Sequence, residues 1–325
     1  MSHQPLIQDV DTLILSSGAL YGICYVGCLQ YIEECNMLSQ ITTVIGCSAG
    51  AIVGSLLYFD FSSQEILYLI THVDFTKFQN QTLETMELED MLHVFDKFGL
   101  DDGSKFLETI DICFEKKTGI KNITFQQAYE LTQKEFQVSA SCLNTCQCEM
   151  FSYITHPDMP IKQAIQISCA IPLVYQAVSY ENKLYADGAL SNIINLTKSH
   201  KKRSLGILLS EYSHESPETT ITNIGTYFMK LYKTTINQIE NLIRENYKNC
   251  IIIDVSQTQY ARHSDVTKFV IHNDDALELV NLGYHSIRKY YHKKPYQKIM
   301  RSLRSFFRNK RRRKKKTQKK TKTMI

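Results

Sequence analysis

The sequence predicts an α/β fold, a mainly parallel sheet sandwiched by helices, with a sharp serine turn after a central strand. Three observations carry this. Short β-branched and apolar runs alternate with helix-patterned segments, the order that lays parallel strands side by side between helices. Gly46-Cys47-Ser48-Ala49-Gly50 falls between such a run and such a segment. Finally, two uncharged stretches, residues 12–32 and 35–59, carry Ser, Thr, Gly, Asn or Gln at intervals, and each divides into a short strand, a turn and a helix. Buried β-α units of a parallel sheet are uncharged for the same reason that membrane spans are, so neither stretch is read as a span.

The elements follow in order. Residues 11–15 read as the first strand, residues 16–22 as a small-residue turn, and residues 23–38 as a helix with Ile23, Val26, Leu29, Tyr31 and Ile32 mostly on one side. Residues 41–45 alternate β-branched and apolar and form the strand before the pentapeptide, and the small apolar residues after it form a buried helix. Ser62-x-x-Glu65 is a capping box that opens a helix over 63–73. Residues 74–121 are mixed and acidic, with helix-like pieces at 89–98 and 106–114, and read as an insertion that partly covers the site.

Thr124-x-x-Gln127 opens another short helix, and residues 136–152 read as a hairpin turning at Leu143-Asn144-Thr145. Residues 161–175 read as a small-residue helix stopped by Pro172. Residues 179–186 read as a hairpin feeding Asp187-Gly188-Ala189. Beyond it come a strand at 204–210, a long amphipathic helix at 216–246 with Ile221, Ile224, Phe228, Leu231, Tyr232, Ile236, Ile239 and Ile243 at helical spacing, a strand at 250–255 and a closing helix at 274–291. The domain reading is an N-terminal lead (1–10), a main α/β domain (11–200), strands and helices completing the α/β fold (201–295) and a basic tail (296–325).

Ten cysteines among 325 residues sit mostly inside apolar segments, and the first eleven residues carry acids and lack a basic, then apolar, leader. Free buried thiols in a reducing, intracellular compartment are therefore expected, with the protein soluble or peripheral at membranes. Cys142-x3-Cys146-x-Cys148 lacks a second pair at zinc spacing, so no metal and no cofactor is expected.

The pentapeptide is G-x-S-x-G at a strand-to-helix turn, the context in which that pattern marks a nucleophile elbow. A serine on so sharp a turn brings backbones close together, and a Cβ at Gly46 or Gly50 would obstruct it. The helix after it aims unpaired N–H groups and a positive dipole end at the serine oxygen. The plain alternative is a chance match, since Gly and Ser are common. At residues 16–22 an ordinary βα loop competes with an oxyanion hole in which the N–H groups of Gly18 and Ala19 face Ser48, and a dinucleotide site is a weaker third option, since Ser17 and Ala19 break G-x-G-x-x-G. None of the ten histidines stands in a context that recommends it as the base for Ser48. Asp187 follows an apolar strand end, although Asp-Gly is by itself a common turn dipeptide.

Taken together these motifs resemble the patatin-like phospholipase family over roughly residues 11–200. The family places a glycine-rich oxyanion turn after its first strand, G-x-S-x-G after the next, and D-G-[GA] well downstream. Here the counterparts are residues 17–22 with Gly18 and Gly22, residues 46–50, and Asp187-Gly188-Ala189. Ser168-Cys169-Ala170-Ile171-Pro172 resembles the family's S-x-A-x-P block, and Asn192 follows as an asparagine does there. The resemblance implies a patatin-like fold in which Ser48 is the nucleophile, Asp187 the base of a Ser-Asp dyad, and residues 17–22 the oxyanion hole. The reaction it implies is hydrolysis of fatty acyl esters, chiefly of phospholipids. The chain departs from the pattern at Tyr21, where a basic residue is usual, in its thinned glycines, and at Ile194, where a proline is usual.

Two other readings stand beside it: a histidine-assisted serine esterase of α/β-hydrolase type, with His156 or His200 as base, and a catalytically weakened membrane or nucleic-acid adaptor on the same fold. The charge pattern bears on the second. Thirteen of the 37 Lys and Arg lie in residues 301–325, which hold no acid, so residues 1–300 carry 24 bases against 33 acids. Residues 297–307 place Ile299, Leu303, Phe306 and Phe307 on one helical face, ahead of a polybasic run. Such a segment suits anionic lipids at a membrane surface. Contact with nucleic acid, a nuclear-import receptor, or no partner at all fits the same composition.

Overall fold

A computed structural model describes residues 10–72, 94–196, 203–211, 221, 224–246, 250–263 and 271–292. The basic tail, residues 1–9 of the N-terminal lead, residues 73–93, His200 and His214 lie outside the described residues.

The described strands are β1 (Thr12–Leu15), β2 (Thr43–Cys47), β3 (Gly99–Asp101), β4 (Glu135–Cys142), β5 (Gln147–Phe151), β6 (Leu173–Tyr175), β7 (Val178–Tyr180), β8 (Lys183–Ala186), β9 (Ser204–Ser210) and β10 (Cys250–Asp254). The described helices are α1 (Cys24–Glu34), α2 (Ala49–Tyr58), α3 (Ser63–His72), α4 (Ser104–Thr118), α5 (Phe125–Thr132), α6 (Ile161–Ser168), α7 (Ile224–Asn246), α8 (Gln259–His263) and α9 (273–292).

The main sheet runs β10-β9-β1-β2-β4-β8-β7, with β5 also paired to β4. The five strands from β10 to β4 are mutually parallel, whereas β5, β8 and β7 join antiparallel at the other end. β1 leads to β2 on one side, while the later strands β9 and β10 add on the other, so the carboxyl ends of β1 and β2 open a crevice.

Strand residues alternate between two cores. Leu13, Leu15, Val44, Ile207 and Ile253 bury against α1, α2, α3 and α9. Ile14, Ile45, Cys47 and Leu208 bury on the opposite face, against Ile193, Ile194 and the α7 side chains Ile236, Ile239 and Ile243. Strands covered on both faces need apolar residues at every position, which is why β1 and β2 read as continuous hydrophobic runs.

Several boundaries differ from the sequence expectation. The strand before the pentapeptide is Thr43–Cys47, two residues later than expected. The first helix begins as a 3₁₀ turn at Ala19–Ile23 and stops at Glu34, where Asn36 adopts a left-handed conformation (φ 54°) that ends the helix. The helix expected to run to Pro172 stops at Ser168, because proline lacks the N–H that would bond back to residue 168 and bars the residue before it from helical angles. Residues 173–175 then form β6, which pairs in parallel with β3. Both expected capping boxes are present: Ser62 N–H donates to Glu65 Oε2 at 2.7 Å, and Thr124 and Gln127 cap α5 reciprocally. The 135–151 hairpin forms as expected, with Leu184 N–H donating to Asn144 Oδ1 across its turn.

Candidate active site

Ser48 sits between β2 and α2 with φ 50° and ψ −119°, a left-handed conformation that costs a β-carbon residue of order 1–3 kcal/mol. Two glycines make the turn sterically possible. A Cβ on Gly46 would lie 2.4 Å from Ala51 Cα, and one on Gly50 2.4 Å from the Leu15 carbonyl oxygen. Backbone atoms cannot yield to that approach. The Ser48 N–H donates to Ser168 Oγ at 2.8 Å, and Ser168 Oγ donates to the Ser139 carbonyl at 2.6 Å. Fully buried Ser168 thus ties the elbow to β4.

Asp187 leaves β8 and caps the 3₁₀ turn Gly188–Leu190. Its backbone is held on both sides: its N–H donates to the Ala170 carbonyl at 2.8 Å, and its carbonyl accepts from Ser141 Oγ at 2.8 Å. Gly188 lies so close to β4 that a Cβ there would sit 2.5 Å from the Ser139 carbonyl oxygen. Of the side-chain oxygens, Oδ1 accepts the Ala189 N–H at 2.8 Å and the Tyr232 hydroxyl at 3.4 Å. Oδ2 is buried without a hydrogen-bond partner.

The carboxyl group is 1 % exposed, and this desolvation raises its pKa from the ordinary 3.8 to about 6. The Ala189 N–H, the Ser48 hydroxyl and the Tyr232 hydroxyl each favour the ionised form and draw the value back. The fold therefore brings Ser48 and Asp187 together across 139 positions of sequence, close enough for the serine hydroxyl to favour the ionised carboxylate.

Gly18 and Ala19 form the turn after β1, where Ala19 takes a left-handed φ of 44°. Neither N–H has an acceptor among the described residues. Gly22 packs against Ala49, where a Cβ would come within 2.9 Å of the alanine Cβ. Tyr21, standing in the family's basic position, donates its hydroxyl to Glu211 Oε1 at 3.0 Å. Ile194, in the family's proline position, is a buried side chain of the second core.

Ser48 opens into an apolar cleft lined by residues that include Ala19, Leu20, Ile52, Phe106, Ile165 and Ile171, with Asp102, Gln166 and Gln176 supplying polar atoms. A second groove shares Ala19, Leu20, Ala49, Ile52 and Phe106 and continues between α2, α3 and α4 along Val53, Leu69 and Ile70. Part of the 74–121 segment thus does wall the site, through Asp102, Gly103, Phe106 and Leu107. No described histidine lines either groove. His156 lies instead against Phe151, with Nε2 3.6 Å from Glu149 Oε1.

Sequence reasoning gave no role to Ser168 or Tyr232. Ser168 appeared only as part of a motif, and Tyr232 only as one member of an apolar stripe. A hydroxyl placed in an otherwise apolar helix face was the one available signal.

A strained serine at a strand-to-helix turn, a buried aspartate and an apolar cleft, carried on a mainly parallel sheet between helices, define the class of fold. Comparison with known proteins narrows the class. The patatin-like phospholipase family model matches residues 13–197, and the chain belongs to that family. Protein R571 of Acanthamoeba polyphaga mimivirus is 28 % identical over 66 % of this chain and 71 % of its own length. The probable lipid hydrolase 463L of Invertebrate iridescent virus 6 is 30 % identical over 56 % of this chain and 60 % of its own length. Triacylglycerol lipase 4 of Saccharomyces cerevisiae is 29 % identical over 50 % of this chain, a match spanning 18 % of the lipase. Among solved structures, VipD from Legionella pneumophila superposes with a TM-score of 0.55 at 16 % identity, covering 88 % of this chain and 67 % of VipD. ExoU in its complex with SpcU from Pseudomonas aeruginosa gives 0.51 at 17 %, covering 88 % and 52 %. At such identities these two structures speak to the fold alone. Among the described residues, no helix is long and apolar enough to cross a membrane.

Proposed function

We propose that the protein hydrolyses fatty acyl esters of lipids, with Ser48 as nucleophile and Asp187 as general base. The observation that carries this reading is the buried carboxylate beside a serine in a strained elbow, with the serine at the head of an apolar cleft. Asp187 takes the Ser48 proton as Oγ attacks the acyl carbonyl. The N–H groups of Gly18 and Ala19 meet the developing oxyanion, a contribution of about 3–4 kcal/mol per donor. Asp187 returns the proton to the leaving alcohol, and water, activated by the same carboxylate, releases the fatty acid from the acyl-enzyme. A base with a pKa near 6 is ionised at neutral pH yet basic enough to share the proton in the transition state.

Membership of the family and the lipase and lipid-hydrolase relatives support the substrate class, and the apolar grooves supply room for an acyl chain. Phospholipids at a membrane surface are the substrates proposed first, with triacylglycerol the alternative. The absence of histidine from the described cleft lining favours an aspartate base over a histidine-assisted one.

A fluorophosphonate probe should label the purified protein, and Ser48→Ala and Asp187→Asn should each abolish labelling. Incubation with mixed phospholipid and triacylglycerol, followed by mass analysis of released fatty acid, then identifies the ester cleaved. Labelling that persists in both variants overturns the dyad.

A further inference from the structure

We infer that Tyr232 is a positioning residue for the acyl transfer proposed above: its hydroxyl helps hold Asp187 Oδ1 so that Oδ2 is left to the Ser48 hydroxyl. The inference rests on the Ser48–Asp187 reading. A carboxylate can rotate about its Cβ–Cγ bond and exchange its two oxygens. Here both hydrogen bonds fall on one oxygen, from the Ala189 N–H at 2.8 Å and the Tyr232 hydroxyl at 3.4 Å, while the other has no partner although it is buried. Such one-sided donation fixes the rotation and leaves a single oxygen free to accept a proton.

The tyrosine arrives from α7, 45 positions downstream, in a stripe whose other members Ile236 and Ile239 pack on the same core cluster as Ala189. Packing alone would be served by phenylalanine or leucine there. Tyr232 is half-buried there; a hydroxyl shielded from water costs free energy unless it finds a partner, and the partner it finds is the proposed base.

The other titratable groups around the carboxylate are the Cys47 thiol at the end of β2 and the Cys169 thiol after α6, both kept neutral by burial. Among the described residues no basic side chain hydrogen-bonds to Asp187, so the Tyr232 O–H and the Ala189 N–H are the donors that favour its ionised form besides Ser48 itself.

The test uses the full chain with a soluble ester, p-nitrophenyl butyrate, across pH 4.5–8.5. Tyr232→Phe keeps the ring and removes the hydroxyl. Ile236→Ala, one turn along α7, disturbs packing without touching Asp187. With the donor gone, the acidic limb of kcat should move upward by about half a pH unit, as expected for losing one long, weak hydrogen bond to the charged form. kcat should fall about tenfold with KM within about twofold, because binding is untouched and proton transfer is not. Ile236→Ala should leave the limb where it was. The inference is overturned if Tyr232→Phe keeps the wild-type limb and kcat, or if both variants shift alike. Asp187→Asn in the same assay separates the two readings. Full turnover there sinks the dyad itself, whereas a dead Asp187→Asn beside a wild-type-like Tyr232→Phe removes only the role of the tyrosine.

Discussion

Burying Asp187 serves the proposed chemistry at the expense of the fold. An acid whose pKa rises from 3.8 to about 6 binds its proton more tightly when folded. Its contribution to stability is therefore most favourable below pH 3.8 and is lost as pH rises through 6, so at neutral pH the ionised group opposes folding by up to about 3 kcal/mol. Asp187→Asn should raise the melting temperature at pH 7 and leave it little changed at pH 4, while abolishing turnover. Thermal melts at the two pH values check the sign. In the wild type, the same pKa places the acidic limb of kcat/KM near pH 6. Ser168 carries the opposite balance. Ser168→Ala leaves the Ser48 N–H buried and unpaired, which costs about 1–3 kcal/mol and frees the strained turn to relax. Both the denaturation midpoint and the fluorophosphonate labelling rate should drop.

At the scale of elements, the tightest contact lies away from the site, where α1 crosses α9. A Cβ on Gly27 would come within 1.9 Å of the Val280 carbonyl oxygen, and one on Gly283 within 1.9 Å of the Cys24 carbonyl oxygen. Helices this close cannot admit a methyl group without separating, and overpacking of that kind costs about 1–3 kcal/mol or more. Gly27→Ala should lower stability in urea by at least that amount and leave the kcat of the folded fraction unchanged. The elements most legible in the sequence were those whose signals are local. β2, the elbow and α2 follow from β-branched residues, two glycines and a small-residue helix, and both capping boxes declare themselves through side chains three residues apart. The Ser48–Asp187 pairing became legible only through the family's motif order, since an Asp-Gly dipeptide alone indicates a turn. What escaped is set by distant partners. β6 exists because β3 lies beside it, and Tyr232 matters because α7 folds back over the turn at 187–190. Neither contact leaves a periodic trace in its own segment.

For the molecule as a whole, the family match ends at residue 197, yet the sheet does not. β9 pairs with β1 on the side away from β2, and β10 extends the sheet beyond it. A chain ending at residue 200 would leave β1 as an edge, strip the cover from Ile14 and Ile45, and remove Tyr232 from Asp187. An uncovered apolar edge strand pairs with other chains, so that shortened protein should be recovered as aggregate by size-exclusion chromatography. A chain ending at residue 295 poses a different question, because it keeps every described element and lacks only the basic tail. The body before that tail is acidic, and an acidic surface repels the anionic lipids on which a lipid hydrolase would work. Basic residues near an anionic membrane contribute about 1 kcal/mol each, so a tail with fourteen of them is sufficient to reverse the repulsion. The 1–295 chain should turn over p-nitrophenyl butyrate at the wild-type rate but no longer sediment with phosphatidylserine vesicles. Binding by the full chain should weaken between 50 and 300 mM salt as the charges are screened. If RNA competes the full chain off those vesicles while phosphatidylcholine vesicles never bind it, the tail reads charge alone, and the choice between membrane and nucleic acid falls to whichever anion is more concentrated where the protein works.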